Sequence, residues 1–148
     1  MSKLIHDLDG KQSFGAIMRS GLPLDEDMSW IGAQVSSRRL LFFGDADPVD
    51  LLIFAWLREH LSVTYAGLSD DLLRKCEVDL RDNFTIQLTE PEVSALQLVE
   101  ACLGDVHSYI GGWCTDLLLS GRKVELEALF SFATCTPLEF EAALLESA

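Results

Sequence analysis

The chain has 148 residues, of which 49% are hydrophobic and 24% are charged, a balance typical of a single globular domain that buries its own core. Its 24 aspartates and glutamates outnumber 11 lysines and arginines, which gives a formal net charge of -13. Because such a surface repels phosphate backbones, direct reading of nucleic acid is not expected. The charge is compatible with simple solubility, and also with a surface that imitates nucleic acid and blocks its binding proteins.

No stretch has the pattern of a membrane helix or a signal peptide. No run approaches 18 apolar residues, and charged residues already occur among the first residues of the sequence. The cysteines are widely spaced and form no Cys-x-x-Cys pair. We therefore expect no membrane association and buried thiols in a reducing compartment. The cysteines are Cys76, Cys102, Cys114 and Cys135.

The clearest predicted element is a buried helix in the first half of the chain. Residues 33–43 end in an apolar run closed by Gly44, which predicts a strand before this helix. Asp47 can cap the helix, and Pro48 suits the first helical position. The following residues are apolar on nearly every side, so residues 48–60 are predicted to form a core helix with a wet C-terminal end.

The next stretch predicts extended structure. Residues 61–65 include the β-branched Val63 and Thr64, and Ser69 followed by two aspartates predicts a short helix. Residues 76–80 and 84–88 alternate apolar and polar positions around turn-forming residues, which predicts a β-hairpin with one wet face. The predicted covered residues are Cys76, Val78, Leu80, Phe84, Ile86 and Leu88.

Helices are predicted after the hairpin. Thr89 and Glu92 form a capping box before a helix that runs to about Gly104. Asp105 can cap a second segment that ends before Gly121. Two adjacent glycines weaken the middle of that segment, so the region is either one kinked helix or two helices.

The C-terminal pattern completes the fold prediction. Residues 124–132 place apolar side chains at every second position, which favours a strand, although their composition also allows a helix. Thr136 and Glu139 form a second capping box for a terminal helix through Leu145. The sequence therefore predicts a single α+β domain over residues 1–148, with a mainly antiparallel sheet packed against a buried central helix and additional C-terminal helices.

Two acidic motifs resemble loops of haloacid-dehalogenase-type phosphatases. Asp7 and Asp9 resemble the nucleophile loop, and Asp45, Asp47 and Asp50 resemble the magnesium loop. The first motif lacks a preceding apolar strand, and about 35 residues are too few for the parallel crossovers between the loops. A turn and a helix cap explain these residues more simply, so no catalytic, cofactor-binding or metal-binding residue is predicted.

Pairs of basic residues stand just before predicted strands. Charge that protects a strand edge explains them, but these cations could instead meet acidic residues of a neighbouring subunit. The predicted interface residues are Arg38, Arg39, Arg74, Lys75, Arg122 and Lys123.

The stretch Asp50-Leu-Leu-Ile-Phe-Ala-Trp-Leu-Arg-Glu-His60, preceded by an acidic loop and a strand, resembles the tail-completion (GpR-type) proteins of contractile-tailed bacteriophages. That family is similar in having an apolar helix that ends in Trp-Leu-Arg-Glu-His, followed by a charged hairpin that closes in Leu-Thr-Glu. The match covers about residues 38–90, and its motifs are structural. Residues 91–148 continue into helices where the family would be expected to finish in strands.

The resemblance implies a structural protein of the virion that is not an enzyme and has no cofactor. Such a tail terminator forms a ring with other copies of itself, caps the tail tube and sheath, and contacts head–tail connector proteins after assembly in the host cytoplasm. The alternative is a small acidic cytosolic inhibitor or assembly chaperone, including a DNA mimic, that binds one protein target. A metal-dependent phosphatase is the third hypothesis.

Overall fold

The computed structural model describes residues 24–35, 39–80 and 84–146. The helices are α1 (Asp25–Val35), α2 (Pro48–His60), α3 (Asp70–Lys75), α4 (Glu90–Leu103), α5 (His107–Ile110), α6 (Gly112–Leu119), α7 (Glu127–Phe132) and α8 (Pro137–Glu146). The strands are β1 (Leu40–Phe42), β2 (Val63–Tyr65), β3 (Ile86–Gln87) and β4 (Arg122–Lys123). Among these helices none is both long and apolar enough to span a membrane.

The predicted α+β fold, with a mainly antiparallel sheet packed against a central helix, is wrong. Of the residues that the structure describes, 62% are helical, and they contain only two small sheets of two strands each. β1 pairs with β2 in parallel, and β3 pairs with β4 in antiparallel orientation. Strand pairs this short cover little apolar surface, so packing between helices forms most of the core.

The central helix α2 is confirmed with its predicted bounds. Asp47 Oδ1 accepts a hydrogen bond from the Asp50 N–H at 2.8 Å, and Pro48 occupies the first turn. Leu51 and Phe54 are fully buried, and the helix packs most extensively against α4. Because a parallel strand pair needs a crossover, α2 also serves as the connection between β1 and β2.

The predicted hairpin over residues 76–88 does not form. Cys76 continues the last turn of α3, since its N–H donates to a carbonyl of that helix at 3.0 Å, and Glu77 then has a left-handed φ of 58°. β3 pairs instead with β4. Ile86 is 44% exposed, so the predicted covered face is not continuous. The predicted turn at residues 81–83 lies outside the described residues.

The segment between Asp105 and Gly121 contains two helices, α5 and α6. They meet at Gly111, whose φ of 85° lies in the left-handed region that favours glycine. A Cβ atom at Gly111 would lie 2.5 Å from the carboxyl carbon of Asp70. The break between the helices therefore depends on glycine and lets Asp70 approach the start of α6.

Both predicted capping boxes are confirmed. Glu92 Oε2 accepts from the Thr89 N–H at 2.6 Å before α4, and Glu139 Oε2 accepts from the Thr136 N–H at 2.7 Å before α8. The strand prediction for residues 124–132 is wrong, because most of that stretch forms α7. Its Glu, Leu and Ala residues favour helix, and this propensity outweighs the apparent alternation.

The strand predicted over residues 33–43 is shortened at its beginning. α1 continues to Val35, and β1 occupies only the later part of the stretch. The predictions for residues 1–23, including the motif with Asp7 and Asp9, lie outside the described residues.

The cysteines are free thiols in three different environments. Cys76 and Cys114 are buried as predicted, and Cys135 is half-buried. Burial raises the pKa of Cys76 to about 12, and a hydrogen bond with Cys135 adds to the rise. Cys102 is exposed on α4, so the prediction of buried thiols is wrong for that residue.

Candidate functional site

The acidic loop, residues 44–50, directs its carboxylates at backbone amides. Asp45 Oδ1 accepts from the Leu126 N–H at 2.7 Å, and Asp50 Oδ2 accepts from the Asp45 N–H at 2.7 Å. Asp47 caps α2, which confirms the helix-cap interpretation. The loop therefore fixes the start of α2 against the connection from β4 to α7. Within the described ranges, no group of three or more His, Cys, Asp or Glu side chains is placed to hold a metal ion.

Burial, together with the neighbouring carboxylates, raises the pKa values of two aspartates in this loop. Burial raises the pKa of Asp45 to about 6, and the nearby charges of Asp50 and Asp47 add to the rise, while the Leu126 N–H opposes it. Burial likewise raises the pKa of Asp50. The loop therefore carries a carboxyl group that takes up a proton at mildly acidic pH.

Lys123 is the buried counter-ion of three carboxylates. Its Nζ lies 2.7 Å from Glu92 Oε1, 3.0 Å from Glu125 Oε1 and 3.6 Å from Asp47 Oδ2. Although burial alone would lower the pKa of Lys123, the hydrogen bonds to Glu92 and Glu125 raise it overall. The lysine thereby joins the starts of α2 and α4 to β4.

Every lysine and arginine that the structure describes has a partner within the chain. Arg39 contacts the Leu145 carbonyl, Arg58 contacts Tyr109, Arg74 contacts Asp70, Lys75 contacts Asp71, Arg122 contacts Thr85, and Lys123 contacts its three carboxylates. Of the predicted interface residues, Arg38 lies outside the described part. Lys123 is only 8% exposed, so its charge is not offered to a neighbouring subunit.

The exposed carboxylates have a different distribution. Between residues 90 and 146, the only lysine or arginine residues are Arg122 and Lys123, and both lie in β4. Helices α4 to α8 therefore present acidic side chains with no lysine or arginine among them. The exposed acids of this region are Glu90, Glu100, Asp105, Asp116, Glu127, Glu139 and Glu146.

An open cleft of about 750 Å³ lies between the segments 65–74 and 107–116. Tyr65 is buried, and Tyr109 and Trp113 are half-buried, so the cleft contains aromatic surface. Its exposed lining residues are charged or polar. They are Asp71, Arg74, His107, Ser108 and Asp116.

Asp70 lies in the wall of this cleft and holds its two segments together. Its Oδ2 accepts from the Trp113 N–H and its Oδ1 from the Cys114 N–H, each at 2.9 Å. These amides belong to the first turn of α6, where a negative charge is favoured by the helix dipole. Arg74 lies 3.6 Å from the same carboxylate. The anion position at this helix end is therefore already occupied by a side chain of the protein.

The aromatic residues of the cleft are supported from behind by other rings. Trp113 packs against Phe84, with ring centroids 5.7 Å apart, and Tyr109 meets Phe54 edge to face at 5.3 Å. The Arg58 guanidinium lies 5.5 Å from the centre of the Tyr109 ring, a cation–π distance. The rings are therefore held in place, and one of them already binds a cation of the same chain.

Asp116 differs from the other carboxylates of the cleft. It is exposed, and within the described part of the chain its carboxylate has no hydrogen-bond or ion-pair partner. It lies one helical turn after Trp113, so both side chains project from the same side of α6. The carboxylate of Asp116 and the ring of Trp113 are therefore accessible on the same side of α6.

Sequence reasoning missed this cleft. From the sequence alone, the adjacent glycines indicate only a weak point in a helix, and nothing singles out Trp113. The Trp-x-x-Asp spacing after a glycine pair was the one local signal, and it is a weak one. The contact with Asp70 spans 43 residues, so no local pattern could indicate it.

Comparison with known proteins finds no matching family, no similar curated protein and no similar solved structure.

Proposed function

We propose that this protein is a noncatalytic acidic binding protein, an inhibitor or assembly chaperone that covers a basic surface of one protein target. The observation that carries the proposal is the distribution of charge. The described cations all contact groups of the same chain, whereas helices α4 to α8 contain no lysine or arginine of their own and carry seven exposed acids on and between them. Such a surface attracts a basic partner and speeds its association.

The chemistry of the target follows from that surface. A protein that binds nucleic acid has a basic patch, and an acidic protein can cover the same patch without contacting nucleic acid. The proposal therefore includes a DNA mimic as one form of inhibitor. Contacts at the rim of such an interface mainly set the association rate, so binding should weaken as salt is added.

A tail-completion subunit remains a second proposal. It is supported by the order of β1, the acidic loop and α2, which agrees with the part of the resemblance that ends in Trp-Leu-Arg-Glu-His. Apolar residues on α4 and α8, such as Val93, Leu98 and Leu138, are exposed and could be covered by other copies. The hairpin that carried the rest of the resemblance does not form.

The two proposals predict different assemblies. Light scattering on the purified protein, alone and with a partner identified by cross-linking in the producing cell, should show a monomer and a one-to-one complex with a basic protein. A ring of identical subunits, or a partner with an acidic contact surface, would contradict the inhibitor proposal and favour the tail subunit.

A pair of charge-matched variants tests the proposed surface. The first replaces Glu100, Asp105 and Asp116 by their amides, and the second does the same to Asp25, Glu26 and Glu59 on α1 and α2. Removing rim charges worth about 0.5 kcal/mol each should weaken binding of the purified partner by roughly tenfold in the first variant. The second should bind within about twofold of the unmodified protein. Equal loss in both variants would contradict a surface located on α4 to α8.

A further inference from the structure

The cleft has the wrong charge for an anionic ligand. The two amides of the first turn of α6 that an anion would use donate to Asp70. Asp71 and Asp116 add exposed carboxylates to the lining. An anion in the cleft would have to displace a buried side chain and approach these acids, so the charge of the cleft favours a cation.

Two basic side chains, Arg74 and His107, line the cleft and could repel a bound cation. Arg74 is paired with Asp70 at 3.6 Å, and it is 62% exposed, so it can turn towards solvent. His107 lies beside Gly112, whose missing Cβ would come 3.1 Å from its Nε2. Among the residues that the structure describes, no other lysine, arginine or histidine lines the cleft, and Arg58 contacts the hydroxyl group of Tyr109 from outside it. The free carboxylate of Asp116 therefore meets little competition from neighbouring cations.

The aromatic surface suits a guanidinium or an alkylammonium group. Trp113 offers a ring that is already fixed by packing against Phe84, whereas the Tyr109 ring is already in contact with Arg58. Rings of this kind attract cations, and a long basic side chain can lay its methylene groups along them while its charge reaches a carboxylate. The volume of about 750 Å³ admits such a side chain together with part of its backbone.

We propose that this cleft receives an arginine or lysine side chain of the basic partner, with Asp116 as its carboxylate and Trp113 as its aromatic platform. The inference rests on the proposed function, because the cation is supplied by the protein that the acidic surface covers. It adds a site to that surface: one partner side chain is bound in the cleft, while the remaining acids act at longer range. Asp70 is a positioning residue that holds α6 in place.

The experiment is a titration with acetylated hexaarginine amide at low salt, followed by the indole N–H signals of the tryptophans in NMR spectra. The Trp113 signal is assigned by its loss in Trp113→Phe. Trp30 on α1 is 53% exposed and lies outside the cleft, so it serves as an internal control. We expect the Trp113 signal to shift with saturation while the Trp30 signal stays unchanged.

Two variants that remove one exposed carboxylate each make the test specific. Asp116→Asn should lower the affinity for hexaarginine about three- to tenfold, the range for one carboxylate paired with a guanidinium in a partly enclosed site. Asp105→Asn, which removes a carboxylate outside the cleft, should change it less than twofold. Unchanged Trp30 and Trp56 signals confirm that each variant is folded.

Arg74→Gln separates the cation site from an anion site. It removes a positive charge from the cleft lining, so hexaarginine should bind about two- to threefold more tightly. A Trp113 shift with hexaglutamate or inorganic phosphate, weakened by Arg74→Gln, would overturn the inference.

The remaining outcomes distinguish this inference from the proposed function. If hexaarginine binds but Asp116→Asn and Asp105→Asn weaken it equally, with no Trp113 shift, the cleft is not the site and the acidic surface acts diffusely. If hexaarginine does not bind even at low salt, both the cleft and the proposed function are wrong.

Discussion

The carboxylates of this protein form two groups with opposite surroundings. The interior group accepts hydrogen bonds from backbone amides or from Lys123, and it includes Asp45, Asp47, Asp70 and Glu92. The exterior group lies on and between helices α4 to α8, which contain no lysine or arginine of their own. The net charge of the chain therefore does not reveal which acids stabilise the fold and which are available to a partner.

The largest effect is expected at the centre of the interior group. Lys123→Met leaves Glu92 and Asp47 without their buried counter-ion, and breaking such a pair by removing one partner costs about 3 to 5 kcal/mol. The free energy of unfolding in urea measures this loss. Lys75→Met is the matched control, because the Asp71 side chain of its ion pair is 62% exposed and such a pair is worth about 0.5 kcal/mol. If both variants lost a similar amount of unfolding free energy, the buried Lys123 cluster would not stabilise the fold more than an ordinary ion pair.

Asp70 provides the next test, since it connects α3 to α6. Asp70→Ala leaves the N–H groups of Trp113 and Cys114 without their acceptor and should reduce the free energy of unfolding by about 1 to 3 kcal/mol. The Asp71 side chain is 62% exposed, so loss of its ion pair with Lys75 in Asp71→Ala should cost less than about 1 kcal/mol. An Asp70→Ala loss no larger than that of Asp71→Ala would contradict the assigned role.

Replacing Asp45 should increase the free energy of unfolding, whereas replacing Lys123 or Asp70 should lower it. Its pKa rises from an ordinary value of 3.8 to about 6, so the folded protein keeps a proton that the unfolded chain has released between these pH values. Stability from this group therefore falls as pH rises from 3.8 towards 6, and the unfavourable buried charge persists above 6. Asp45→Asn should be more stable at pH 7.5 by about 1 to 2 kcal/mol, after allowance for solvent screening.

The Asp45 prediction is checked by urea unfolding at several pH values. The difference between the unmodified protein and Asp45→Asn should grow across the window from 3.8 to 6 and then level off. Asp105→Asn makes the same change in charge at an exposed position and should show little such growth. A variant that is less stable than the unmodified protein at pH 7.5 would mean that the hydrogen bond to the Leu126 N–H needs the carboxylate charge.

Local signals explain why the helices could be predicted and the sheet could not. Asp47 with Pro48, and the capping boxes at Thr89 and Thr136, act within one helical turn, so the sequence contains the whole interaction. The alternation of apolar and polar residues over 76–88 and 124–132 does not specify which strand would pair with them. Helix propensity or tertiary contacts determined the structure of those stretches.

The candidate site illustrates the same limit. Neither Asp70 nor Trp113 could be assigned from its own neighbourhood, because the contact between them joins residues 43 positions apart. Asp116 is an ordinary surface acid in the sequence, and it becomes distinctive only when its neighbours in the cleft are known.

The most direct test of the division between interior and exterior acids measures stability and binding on one variant. When Glu100, Asp105 and Asp116 are replaced by their amides, the free energy of unfolding should stay within about 1 kcal/mol while the affinity for acetylated hexaarginine amide falls roughly tenfold. Unchanged affinity, or a loss of stability as large as that of Lys123→Met, would contradict the account.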